Sequence, residues 1–130
     1  MAIDGNGVHV TGMVPDVRPY LERAVGTVVP LLSGGGTRLK ILEAMAAGRA
    51  VLSTSIGAEG IEAVASKEIL YADTSEALAE GCLALIRQPD LRDRIAAGGR
   101  QLAVRKYDWR EAQRTLLNCY SALSTVSDDA

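Results

Sequence analysis

Phenylalanine is absent from the sequence, and tryptophan and histidine occur once each. A core without Phe has to be built from Leu, Ile, Val, Ala and Met. Ser-His-Asp or Cys-His catalysis would have to run through His9, which sits at the front of a strand-like run and reads as structural. The two cysteines, Cys82 and Cys119, fall in helix-like segments without metal-ligand spacing. They read as reduced, partly buried thiols of a cytoplasmic protein. No apolar run approaches the roughly 20 residues that a membrane span needs. The opening "MAIDGNG" lacks the basic-then-apolar layout of a secretory signal. There is no excess of positive charge: the net charge is −2, which argues against a nucleic-acid binder relying on a broad basic surface. No Asp-x-Asp metal motif occurs. Asp128 and Asp129 adjoin in a tail that reads as frayed, so no metal, no cofactor and no catalytic residue is assigned to this chain.

What the sequence does hold is enough apolar residue for a core. Its 130 residues fit one domain, and 48% apolar with 23% charged is the balance of an ordinary globular protein. "GVHVTG" (7–12), "VGTVVPL" (25–31) and "RAVLST" (49–54) read as strands buried on both faces, with a weaker fourth in "EILYA" (68–72). A short helix with Asp16 as cap separates the first two. A helix from about Thr37 to Ala47, ended by Gly48, separates the next two. Strands alternating with helices predict right-handed crossovers and a parallel sheet.

Beyond Asp73 the pattern is helical. Asp73 and Glu76 stand at capping-box spacing ahead of a stripe of Leu78, Cys82, Leu85 and Ile86. Pro89 opens a further helix, in which Leu91, Ile95 and Leu102 share a face and Gly98 and Gly99 weaken the middle. Asp108 caps a last helix with a stripe of Ala112, Leu116, Cys119, Tyr120 and Leu123. The expected organisation is one α/β domain over 1–123, a Rossmann-like parallel sheet of three to four strands with C-terminal helices, and a disordered tail over 124–130.

The chemistry concentrates in "PLLSGGGTRLKILEAMAAGRAVLST", residues 30–54. Gly34, Gly35 and Gly36 let the backbone approach a ligand closely. The helix that follows offers unpaired N–H groups and partial positive charge. Arg38 and Lys40 add two cations where the helix dipole favours acids, a conflict that a bound anion resolves. Gly36, Lys40, Glu43 and Ala47 form one helical stripe, and Leu39, Leu42 and Ala46 a neighbouring one expected to face the core. A ligand on the polar stripe would set a phosphate near Gly36 and a vicinal diol at Glu43. The bland alternative is a tight turn, a solvated Arg38 and a Lys40–Glu43 ion pair. The run is neither a P-loop nor GxGxxG.

These residues resemble a known family. "G-G-G-T-R-x-K-x-L-E-A-M-A-x-G" at 34–48, "V-L-S-T", "G-A-E-G" and the late "Y-D-W" at 107–109 look like the C-terminal half of a group 1 glycosyltransferase of the retaining GT-B kind, over residues 8 to 123. The resemblance implies two Rossmann-like domains with the active site between them, this chain being the later part of the donor-binding C-terminal domain. It implies a partner in a nucleotide-diphosphate sugar, and an N-terminal acceptor domain outside the chain. Any membrane association of this cytoplasmic protein would lie in that outside part. The candidate donor-binding positions are Gly34, Gly35, Gly36, Thr37, Arg38, Lys40 and Glu43; Arg38 and Lys40 match the family's motif, which gives them no fixed role. Glu43 matches the second Glu of the family's Glu-x7-Glu motif, which holds the donor ribose. The first Glu of that motif is replaced by Gly35. The family scheme uses no metal. The isolated chain is expected to be inactive and to self-associate. Two alternatives stand beside this: a GT-B-like sugar-nucleotide epimerase fragment, and a non-catalytic α/β interaction module.

Overall fold

A computed structural model of the chain describes residues 7–36 and 38–125. The elements run α1 (Arg18–Arg23), β1 (Gly26–Val29), α2 (Leu39–Ala46), β2 (Ala50–Ser53), β3 (Leu70–Tyr71), α3 (Ser75–Arg87), α4 (Pro89–Lys106) and α5 (Trp109–Thr125). The expected α/β class is what forms: three strands in the order β1-β2-β3, with both neighbouring pairs parallel. Gly26 stands opposite Ala50 and Val29 opposite Ser53, so β1 and β2 end at the same level. Leu52 and Ser53 pair with Leu70 and Tyr71. All four residues of β2 are buried, as a central strand covered on both faces requires.

The sheet has an apolar layer on each face. Val29 and Val51 pack with Ile41, Ala44 and Met45 of α2 and with Leu102 of α4. Ala50 and Leu52 pack on the other face with Leu85 of α3 and Ile95 of α4. One helix, α4, thus serves both layers. It passes between them at Gly98 and Gly99, where a Cβ on Gly98 would lie 2.2 Å from the Lys67 carbonyl oxygen and one on Gly99 3.0 Å from that of Glu68. These glycines do not weaken the helix as their propensity implies. They allow its backbone to lie against the 64–69 turn.

Three further expectations change. No strand forms over 7–12: Val8 stands in an isolated bridge, Val8 and Val10 are exposed, and among the described residues the three-stranded sheet ends at β1. The cap of α3 is Thr74, whose hydroxyl accepts from the Ala77 N–H at 3.2 Å, while Asp73 is drawn to Ser55 instead. The core face of α2 is Ile41, Ala44 and Met45; of the expected stripe, Leu42 packs half-buried against that core, while Leu39 and Ala46 are exposed. Leu39 is 58% exposed. The helix carries two apolar stripes, and periodicity alone does not choose which one meets the sheet.

The end of α2 follows the sequence. Gly48 takes a φ of +68°, its N–H donates to Met45, and Arg49 N–H donates to Ala44, which is the Schellman arrangement. Arg100 of α4 donates to the Ala46 carbonyl at 2.8 Å and adds a cation at the negative end of the helix. The tail expected over 124–130 starts later, because α5 continues to Thr125; residues 126–130 lie outside the described residues.

Candidate functional site

The loops that leave β1 and β2 come together at the carboxyl end of the sheet, because the two strands stop in register. Hydroxyls knit this end. Ser53, fully buried, lies 3.1 Å from the Val29 carbonyl and 3.0 Å from that of Thr54. The Thr54 hydroxyl donates to the Leu31 carbonyl and accepts from Gly57 N–H at 2.8 Å. A Cβ on Gly57 would fall 2.5 Å from Ser53 Oγ and 2.8 Å from the Val29 carbonyl oxygen, so only glycine fits where this loop turns back over the strand ends.

A second tie runs to the end of β3. Ser55 donates through both its N–H and its hydroxyl to the two oxygens of Asp73, each at 2.7 Å. Those bonds favour the charged carboxylate and hold Asp73 below the usual carboxylate range.

The glycine run lies in the loop from β1 to α2. Gly34 and Gly36 have φ of +135° and +93°, values in which a side chain would be strained. Gly34, Gly35 and Gly36 are all exposed. The helix that follows is open at its start: Arg38, at the cap position, makes no side-chain cap bond, and the first turn holds no acid. An anion would meet unpaired N–H groups and the positive end of the helix there.

Of the remaining candidates, Lys40 and Glu43 are exposed on α2 and make no ion pair with each other or with any other described residue. The pairing of the bland reading is not formed, and both groups face solvent. Arg38 departs from both readings. Its side chain is only 6% exposed, and its Nη2 donates to the carbonyls of Gly34 and Ile56, each at 2.9 Å. The same nitrogen lies 3.6 Å from a carboxylate oxygen of Glu59. Arg38 is therefore neither solvated nor turned out to a ligand; it joins the glycine loop to the loop after β2. Thr37 lies outside the described residues.

Glu43 also borders a groove of about 850 Å³ between α2 and α5, walled by Leu39, Leu42, Trp109 and Leu116. The outward stripe of α2 thus flanks a concave face of the molecule. The sequence reading missed the Ser53, Thr54 and Ser55 network, the Asp73 tie and Glu59. The available signal was the run of hydroxyls "STS" at the end of an apolar strand, the position from which loops over a ligand start.

The glycine loop and the start of α2 thus lie at the carboxyl ends of parallel strands, the end at which open α/β sheets bind ligands. A family model described as "Glycosyl transferases group 1" matches residues 2–88. The chain belongs to the group 1 glycosyl transferases. It is similar, at 32% identity over 98 residues, to the phosphatidyl-myo-inositol mannosyltransferase of Mycobacterium leprae (strain TN). That match covers 74% of this chain and 26% of the relative, so the chain corresponds to about a quarter of the length of the protein it resembles. No solved structure matches it. Among the described residues no helix is long and apolar enough to cross a membrane, and no group of His, Cys, Asp and Glu could hold a metal ion.

Proposed function

We propose that the chain is the donor-binding portion of a retaining glycosyltransferase of the GT-B kind, which moves a sugar from a nucleotide diphosphate to an acceptor hydroxyl. The observation that carries this reading is the start of α2. Among the described residues it has no side-chain cap bond and no acid in its first turn, three exposed glycines lie before it, and Lys40 and Glu43 along its side make no ion pair. The diphosphate lies over Gly34–Gly36 and the helix N-terminus, and the ribose diol meets the Glu43 carboxylate. Thr37, a donor-binding candidate from the sequence, belongs to the same reading. Lys40 adds a full charge beside the phosphates, and Arg38 supports the loop from behind.

In the transfer, the bond between the anomeric carbon and the diphosphate oxygen breaks. A bond to the acceptor oxygen forms on the same face, and the acceptor proton is released. Negative charge grows on the leaving diphosphate. The N–H groups of the helix start and Lys40 stabilise that charge without having to reorganise. The name of the mycobacterial relative favours a hexosyl donor, mannose in its case, and an inositol lipid as the class of acceptor. The acceptor is held by a domain outside this chain, so the chain alone binds donor without turning it over. Family membership favours this reading over an epimerase or an interaction module.

Isothermal titration with UDP, GDP and ADP tests the proposal. One of the three binds, and Glu43→Ala weakens it roughly tenfold, the worth of a hydrogen bond to a charged group. The unfolding midpoint stays unchanged because Glu43 is exposed. Equal affinity of the variant and the parent would remove Glu43 from the site.

A further inference from the structure

The arginine at the head of α2 faces inward, and this calls for a role of its own. An arginine side chain is rarely buried without a paired partner, because its charge is expensive to desolvate. The only carboxylate near Arg38 among the described ion pairs is Glu59, which is 74% exposed and 3.6 Å away, a weak counter-charge. The close partners are two backbone carbonyls from different loops, Gly34 and Ile56, both on Nη2. Arg38 Nε is buried without a hydrogen-bond partner among the described residues. Burial of this charge is thus poorly compensated for stability alone. What the guanidinium does achieve is geometric. It fixes the carbonyl of a glycine whose φ is +135°, in a run that has no side chains with which to fix itself. It also fixes that glycine relative to the Ser55–Glu59 loop, which is anchored in turn through Thr54 and Asp73.

We infer that Arg38 is a positioning residue: it clamps the glycine loop to the loop after β2 and so holds the loop N–H groups and the start of α2 in the shape that receives the donor diphosphate. The inference rests on the donor-site reading above. A flexible triple-glycine loop would lose backbone freedom each time an anion bound, and a clamp from behind removes that loss beforehand. The rigid guanidinium plane fixes the directions of both Nη2 N–H bonds, which the freely rotating ammonium of lysine on its flexible stem does not.

The test is Arg38→Lys in the 130-residue chain. UDP, GDP and ADP serve as probes, and amide hydrogen exchange is followed at Gly34, Gly35 and Gly36. Working well below the unfolding midpoint, the variant is expected to bind the nucleotide diphosphate roughly tenfold or more weakly per folded molecule. Exchange should be faster at the loop glycines and unchanged in β2. A merely structural arginine would lower the unfolding midpoint and leave the affinity of folded molecules and the loop exchange where they are, which would overturn the inference. If the parent chain binds none of the three nucleotides, the donor reading fails on its own, and loop exchange still decides the clamp: unchanged exchange in Arg38→Lys overturns it. Should the variant not fold, the side-chain Nη signals of Arg38 in the parent protein replace it. A clamped guanidinium gives separate, slowly exchanging Nη resonances, and a single freely rotating set contradicts the inference.

Discussion

Ser55 and Asp73 show how single side chains shape this end of the sheet. The Asp73 carboxylate accepts from the N–H and the hydroxyl of Ser55, and its pKa is lowered by those two bonds. A carboxylate whose folded pKa lies below its unfolded value contributes stability that is present above the unfolded pKa and lost as pH falls through the folded one. The tie therefore holds at neutral pH and loosens on acidification below about pH 4. Asp73→Asn keeps an acceptor oxygen but not the charge. The expected outcome is a flatter dependence of unfolding midpoint on pH below about 4, read by denaturant titration at several pH values. An identical pH profile in variant and parent would show that the tie contributes nothing. The sequence hid this pair, since Asp73 also sits at capping-box spacing ahead of a helix. Only the fold, which sets the ends of β2 and β3 side by side, tells which partner it takes. Arg38 was hidden in the same way: nothing in "GGGTRLK" says that a charged side chain turns under its own loop.

At the level of elements, the legible features were those with a local cause. The helix–glycine boundary at Gly48, the proline that opens α4 and the apolar run of β2 each follow from neighbours within a few residues. The features that were not legible depend on distant partners. Residues 7–12 carry strand-forming side chains, but pairing needs a neighbouring strand. The two stripes of α2 are equivalent until the sheet takes one of them. The glycines of α4 read as a weakness until the 64–69 turn is seen against them. Gly98→Ala sets a methyl group into the Lys67 carbonyl, and neither backbone can retreat cheaply. We predict a loss of about 1–3 kcal/mol in denaturant unfolding, with nucleotide affinity intact. A variant as stable as the parent would show that this helix–turn contact gives way freely.

At the level of the whole molecule, apolar surface is left open. The central strand β2 is buried on both faces, yet Trp109, in the groove between α2 and α5, is 86% exposed. Leu116 and Tyr120 of α5 are also exposed, as is Val28 on β1 at the edge of the sheet. Apolar surface of this kind favours association. The separate chain is expected to grow in apparent mass with concentration in light scattering, and a constant monomer mass would contradict this. The chain matches about a quarter of the length of the mannosyltransferase it resembles.

The central claim is that the open start of α2 receives a nucleotide diphosphate, and backbone amide shifts on adding UDP, GDP and ADP in turn address it most directly. One nucleotide should move the amides of Gly34, Gly35, Gly36, Leu39 and Lys40 together, with a saturating response and little change in α3 or α5. A folded chain in which none of the three nucleotides moves these amides, or in which the shifts gather elsewhere on the surface, would contradict the donor site.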